Sequence, residues 1–157
     1  MDLDLHVVLV APEIPPNAGN VARTCAALGA VLHLIRPLGF FMTDRHLRRA
    51  GLDYWRHVQY EIHDDWESFR QRLPAERCLF FTPDAARRYD EAAYQAGVGL
   101  VFGSESSGLP PSILAEAPPE RRVRIPMRPG IRSLNLATAV GVAVYEAARR
   151  LGFPGLV

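Results

Sequence analysis

No lysine occurs in this chain; all 18 of its basic residues are arginine. That absence excludes a Walker-type phosphate lysine, a Schiff-base lysine and the lysine of a protein kinase. Cysteine is scarce as well. Cys25 and Cys78 have no CxxC spacing and no metal-ligand neighbours, so both read as small buried hydrophobes, without zinc or thioredoxin-like chemistry. The five histidines are scattered, with no HExxH and no i, i+4 pair, and read as structural or exposed; no metal is expected. There is no run of 18 uncharged apolar residues, and the start MDLDLHVVLV is acidic before its apolar stretch, the wrong polarity for a secretory signal. These absences predict a cytoplasmic protein with no membrane partner.

What is present is ordinary in bulk. A length of 157 residues with 48% apolar composition suits one domain, residues 1–157, with a real core. The formal net charge is only +1, so any nucleic acid must be met by a local arginine patch, doubled if the protein oligomerises.

Along the chain, LHVVLVAP (5–12) has the continuous apolar character of a buried parallel strand. VARTCAALG then predicts a helix capped by Asn17 or Asn20 and closed by Gly29, and residues 30–37 a second strand. A basic helix over about 43–50, a strand around 57–62 and a helix opening near Asp64 and Asp65 follow. RCLFFTP (77–83) and GLVFG (99–103) read as strands separated by a polar, partly helical segment. A short helix is expected from Pro110, a sixth strand at VRIPM (123–127), and a last helix over about 135–151. In that helix Leu136, Val140, Val144, Ala147 and Leu151 form an apolar stripe, while Ala137, Gly141 and Ala148 form a small-residue face suited either to a homodimer or to the protein's own sheet. The alternation predicts an α/β fold, a mostly parallel sheet of about six strands with helices on both faces and ligand loops at the carboxyl ends of the strands.

The common nucleotide and hydrolase signatures fail: GVGLVFG has the wrong glycine interval for a dinucleotide fold, and no GxSxG elbow or catalytic carboxylate pair is present. Four strand ends nevertheless carry unusual loops. They are PEIPPNAGNVAR (12–23), with Glu13, Asn17, Asn20 and Arg23; Phe81-Thr82-Pro83; FGSESSGLP (102–110); and IPMRPGIRSLN (125–135). Their glycines allow close backbone approach and their prolines stiffen the loops, so together they suit one small-molecule pocket, although each taken alone is also compatible with a routine turn.

Three long stretches, PEIPPNAGNVARTCAALGAVLHLIRPLGF, LVFGSESSGLP and RIPMRPGIRSLNLATAVGVAVYEAARRLGFPG, resemble in order the three motifs of the SPOUT methyltransferases. The resemblance covers residues 12–155 and is nearest to the small bacterial subfamily that 2'-O-methylates the wobble cytidine or uridine of tRNA. It implies a deep C-terminal trefoil knot, an exception to the usual rule of unknotted connections. It also implies a homodimer, S-adenosyl-L-methionine as cofactor with S-adenosyl-L-homocysteine as product, and no metal. The expected partner is the anticodon stem-loop of tRNA, leucine isoacceptors foremost. By motif position, Phe81, Thr82, Gly103, Ile125, Met127, Ser133 and Leu134 are expected to bind the cofactor.

The same motifs assign Arg23, Asn17, Glu105, Ser133 and Asn135 to the catalytic region. A guanidinium, with a pKa above about 12, is a poor general base, so Arg23 is expected to orient the ribose hydroxyl and stabilise the developing alkoxide. Glu105, Ser133 and Asn135 are expected to shape the site or contact RNA without moving protons. RNA contact is expected from Arg45, Arg48, Arg49 and Arg56 on phosphates, with Phe40, Tyr54 or Trp55 stacking on a base; the plain alternative is a solvated basic helix whose aromatics belong to the core. Two other functions fit the sequence: methylation of a different tRNA or rRNA ribose, and a catalytically idle RNA-binding dimer.

Overall fold

The computed structural model describes residues 2–43, 45, 49 and 52–157. Its strands are β1 (Leu5–Val10), β2 (Val31–Ile35), β3 (Tyr60–His63), β4 (Cys78–Phe81), β5 (Arg87–Arg88), β6 (Val98–Phe102) and β7 (Arg122–Arg124). The α-helices described are α1 (Pro15–Leu28), α2 (Trp66–Arg72), α3 (Pro111–Leu114) and α4 (Leu136–Arg150). The seven strands form one sheet in the order β3-β2-β1-β6-β4-β7-β5, and every pairing is parallel. The extra strand relative to the expected six is β5, two exposed arginines in the polar segment that separates β4 from β6. So short and polar a strand leaves no hydrophobic pattern to read. The strand expected at 123–127 stops at Arg124, because the proline at 126 has no amide to extend a ladder.

Strand alternation divides the core between two faces. Leu5, Val7 and Leu9 of β1 pack with Leu79 and Leu100 beneath α1 and α4. Val8 and Val10 face the other way, toward Phe80, Val101 and the α2 residues Trp66 and Phe69. β1, β4 and β6 are buried throughout, and each such Val, Leu or Phe contributes about 1.5–3 kcal/mol relative to exposure. Helices therefore cover both faces, as expected.

Asp65 caps α2 by accepting from the Ser68 amide, and Asn135 caps α4 by accepting from Thr138. The cap expected for α1 is different. That helix starts at Pro15 with Ile14 as its N-cap and no side-chain cap of its own; Asn17 is buried in the first turn. Pro15 and Pro16 lack amides, so the first two helical positions offer no donor to a side chain of the local sequence. Gly29 closes the helix at φ 76°, as expected of a left-handed C-cap.

Within α4, Val140, Val144 and Ala147 of the expected stripe are buried, and so is Ala148 from the small-residue face; Ala137 and Gly141 of that face are half-buried, and a side chain at Gly141 would meet open space. Val142 and Tyr145 point outward. Cys25 and Cys78 are free and buried as anticipated, and burial pushes both thiols up to about 12. The histidines are less scattered than their sequence positions suggest. His6 and His33 are buried, and burial, with smaller charge effects, lowers the pKa of His6, His33 and His63, His33 to about 3. Among the described residues, no helix is long and apolar enough to cross a membrane.

Candidate active site

β6, β4 and β7 are adjacent in the sheet, so the loops that leave their carboxyl ends are neighbours by construction. They enclose a pocket of about 830 Å³, within the size range of small-molecule sites. The Phe81 and Phe102 rings stack at its base, with centroids 4.6 Å apart. Ile125, Met127 and Leu134 supply further apolar wall, and Thr82, Ser104, Arg132 and Ser133 the polar lining.

The loop after β6 doubles back tightly: the Gly108 amide donates to the Ser104 carbonyl at 2.9 Å. A Cβ at position 103 would stand 1.9 Å from the Gly108 carbonyl carbon and 2.1 Å from the Leu109 nitrogen. Both are backbone atoms with no rotamer to yield, so only glycine permits this fold of the loop.

Glu105 ties that loop to α1. Its carboxylate accepts from the backbone amides of Glu13 and Ile14, each at 2.8 Å, and from Asn17 Nδ2 at 3.1 Å. A carboxylate placed at the amino end of α1 is favoured by the helix dipole and supplies the cap that the local sequence lacks. Glu13 reciprocates, Oε1 accepting from both the amide and the hydroxyl of Ser106 at 2.9 and 2.7 Å. Those bonds, hydroxyl first and amide second, hold the Glu13 carboxyl below its usual pKa. Asn17 Oδ1 in turn accepts from Asn135 Nδ2 at 3.0 Å, while Asn135 Oδ1 caps α4. The chain of bonds Glu105–Asn17–Asn135 thus links the first, third and fourth unusual loops and fixes the orientation of both amides.

All seven residues expected to bind the cofactor line this pocket, as do Asn17, Glu105, Ser133 and Asn135. Arg23 does not. It lies further along α1, exposed, with its guanidinium 5.0 Å from the centre of the Tyr54 ring. Asn17 bonds to the Glu105 and Asn135 side chains, and Glu105 to Asn17 and to two backbone amides, so the polar atoms of both are already engaged in tying the loops together. The Glu13–Ser106 link escaped sequence reading because the two residues are 93 positions apart and neither type signals the other.

The expected RNA surface is only partly assembled. Arg45, Arg49 and Arg56 are exposed and Tyr54 is half-buried beneath Arg23; Arg48 lies outside the described residues. Phe40 is no base-stacking residue, since it is buried against Ala18, where its apolar ring is removed from water. Its neighbour Phe41 is 82% exposed and is the open aromatic of this stretch.

The model of the SpoU rRNA methylase family matches residues 4–145. The tRNA (cytidine(34)-2'-O)-methyltransferase of Burkholderia ambifaria is 51% identical over 152 residues, which span 96% of this chain and 97% of that protein. The enzyme of the same name from Escherichia coli is 47% identical over 153 residues, 98% of each chain. A solved structure described as giving insights into 2-OH methylation of C/U34 on tRNA superposes with a TM-score of 0.88 at 53% identity, covering 94% of this chain and 95% of its own. An AdoMet-bound rRNA methyltransferase from Sinorhizobium meliloti superposes at 0.85 with 26% identity, over 96% of this chain and 58% of that one.

Proposed function

Because the chain belongs to the SpoU rRNA methylase family, we propose that it 2'-O-methylates the wobble cytidine or uridine of tRNA, position 34. The carrying observation is the pocket built at the ends of β4, β6 and β7, in a chain about half identical along nearly its whole length to enzymes with that activity. S-adenosyl-L-methionine supplies an activated methyl group when bound. The residues present suit it. Phe81, Ile125, Met127 and Leu134 would cover an apolar base, and Thr82, Gly103 and Ser133 would meet its polar edges.

The rest of the task falls to the chain's own groups. Methyl transfer to a ribose hydroxyl is an in-line displacement, and alignment is the protein's main contribution. The Glu105–Asn17–Asn135 chain holds the loops so that pocket and α1 keep a fixed relation. Arg23 orients the hydroxyl and stabilises negative charge as it develops, with the proton leaving to phosphate or water. Its exposed position on α1, outside the lining of its own pocket, leaves it open to an RNA lying across the α1 surface. Arg45, Arg49 and Arg56 are exposed, where phosphates can reach them, and Phe41 is exposed, where a base can stack on it. We infer further a knotted C-terminal segment, a homodimer in which both copies contact RNA, a cytoplasmic setting, and leucine tRNAs as the principal substrates.

The test is nucleoside mass spectrometry on bulk tRNA from cells lacking wobble methylation, incubated with the protein and S-adenosyl-L-methionine. New 2'-O-methylcytidine or 2'-O-methyluridine mapped to the wobble nucleotide is the expected result. No gain, with cofactor binding intact, would overturn the substrate and leave the methyltransferase fold.

A further inference from the structure

Three of the five histidines meet outside the lining of the pocket, on the sheet face covered by α2. The register explains how: His33 of β2 pairs with Val8 of β1 and with Glu61 of β3, which places His6, His33, Glu61 and His63 on one face in a diagonal row. His33 Nδ1 lies 3.0 Å from His63 Nε2, and Glu61 Oε1 is 3.8 Å from the first nitrogen and 3.7 Å from the second. We propose that His33, His63 and Glu61 form a binding site for a divalent transition cation of the zinc type, fastening the edge strand β3 to β2.

The geometry is specific. A triangle with sides of 3.0, 3.7 and 3.8 Å has a centre about 2.0 Å from each corner, and zinc bonds to imidazole nitrogen and carboxylate oxygen are about 2.0–2.2 Å. The sides average about 3.5 Å, close to the spacing of ligand atoms around a tetrahedral ion with bonds of about 2.1 Å, so a cation just out of the plane reaches all three. Two imidazoles with one oxygen favour zinc, cobalt or nickel over magnesium and calcium, which require oxygen-rich shells. The outer contacts also suit ligation. His33 Nε2 lies 2.9 Å from His6 Nδ1, and His6 Nε2 lies 3.5 Å from an Asp4 carboxylate oxygen. With Nδ1 on the metal, His33 donates its remaining N–H to His6, whose own N–H faces Asp4, the carboxylate-backed arrangement that fixes a ligand's tautomer. Arg72 holds Glu61 from the other side, with Nη2 at 3.1 Å. Phe69 closes the floor, its ring centre 5.2 Å from His33 and 5.4 Å from His63. His33 is fully buried, whereas His63 and Glu61 are partly exposed at 11% and 29%, which leaves a solvent side for water as a further ligand.

The experiment titrates chelator-treated protein with cobalt(II), then zinc, following visible absorption and melting temperature. One cobalt per chain with the spectrum of a four-coordinate ion, its displacement by zinc, and a raised melting temperature are expected. His63→Ala and Glu61→Gln should abolish the spectrum, His57→Ala should leave it intact, and His6→Asn should weaken binding about 10–100-fold. Glu61→Gln keeps the side-chain shape, so its folding can be checked independently by circular dichroism. Absence of cobalt uptake by the parent protein, or uptake unchanged in His63→Ala and Glu61→Gln, would overturn the proposal.

Discussion

Replacing Glu105 by alanine removes one carboxylate that accepts from two backbone amides at 2.8 Å and from Asn17 Nδ2 at 3.1 Å. The Glu13 and Ile14 amides lie where water can partly replace the lost acceptor, so the cost follows helix-cap removals, about 1–2 kcal/mol, rather than a fully buried orphan. With a urea slope of about 2 kcal/mol per molar, the unfolding midpoint should fall by about 0.5–1 M. Protein concentration must be fixed in the comparison, because association would shift the midpoint independently. Glu105→Gln keeps one acceptor oxygen but turns the other into an NH2 that faces an N–H donor, so it should lose about as much as the alanine variant. Function should suffer alongside stability, since the same carboxylate anchors the Asn17–Asn135 join. If about 1.4 kcal/mol of the loss falls on the assembled loops, cofactor affinity drops about tenfold, measurable by calorimetry. An alanine variant with unchanged midpoint and unchanged cofactor affinity would refute the view that Glu105 couples α1 to the pocket.

On the role proposed for Arg23, Arg23→Ala should reduce methyl transfer by more than about 100-fold while sparing cofactor affinity, since the guanidinium lies outside the pocket lining; equal loss of both in paired kinetic and binding assays contradicts that role. Arg45→Ala with Arg49→Ala should flatten the salt dependence of tRNA binding by about 1.4 in the log–log slope if each contacts a phosphate, and an unchanged slope places the RNA elsewhere. The thiols give a pH prediction. Cys25 and Cys78, pushed up to about 12 from an ordinary 9.0, keep their protons in the folded state while the unfolded chain loses them. Stability should therefore decline as pH rises through about 9 toward 12, by up to about 1.4 kcal/mol per thiol per pH unit, and neither thiol should react with a disulfide reagent at pH 8 until the protein unfolds. Rapid native-state labelling would contradict their burial.

Sequence alone determined much of this protein. Apolar runs long enough to be buried on both faces identified β1, β2, β4 and β6, and Asp65, Asn135 and Gly29 marked helix ends, because these signals act over a few residues. The motif positions also selected the loops of the pocket, since glycine and proline constrain the local backbone wherever they stand. What the tertiary structure decided is where distant groups meet. The cap of α1 comes from Glu105 and not from Asn17 or Asn20, a contact made across 91 residues. Phe40 and Phe41 are alike in sequence, yet one packs on Ala18 and the other faces water, because the path of the chain decides which ring reaches the core. His33 and His63 are 30 positions apart with no motif between them, and only the parallel register of β2 on β3 brings their nitrogens to 3.0 Å. Local chemistry is written in neighbouring residues; convergence across strands depends on sheet order and register, which no short stretch of sequence specifies.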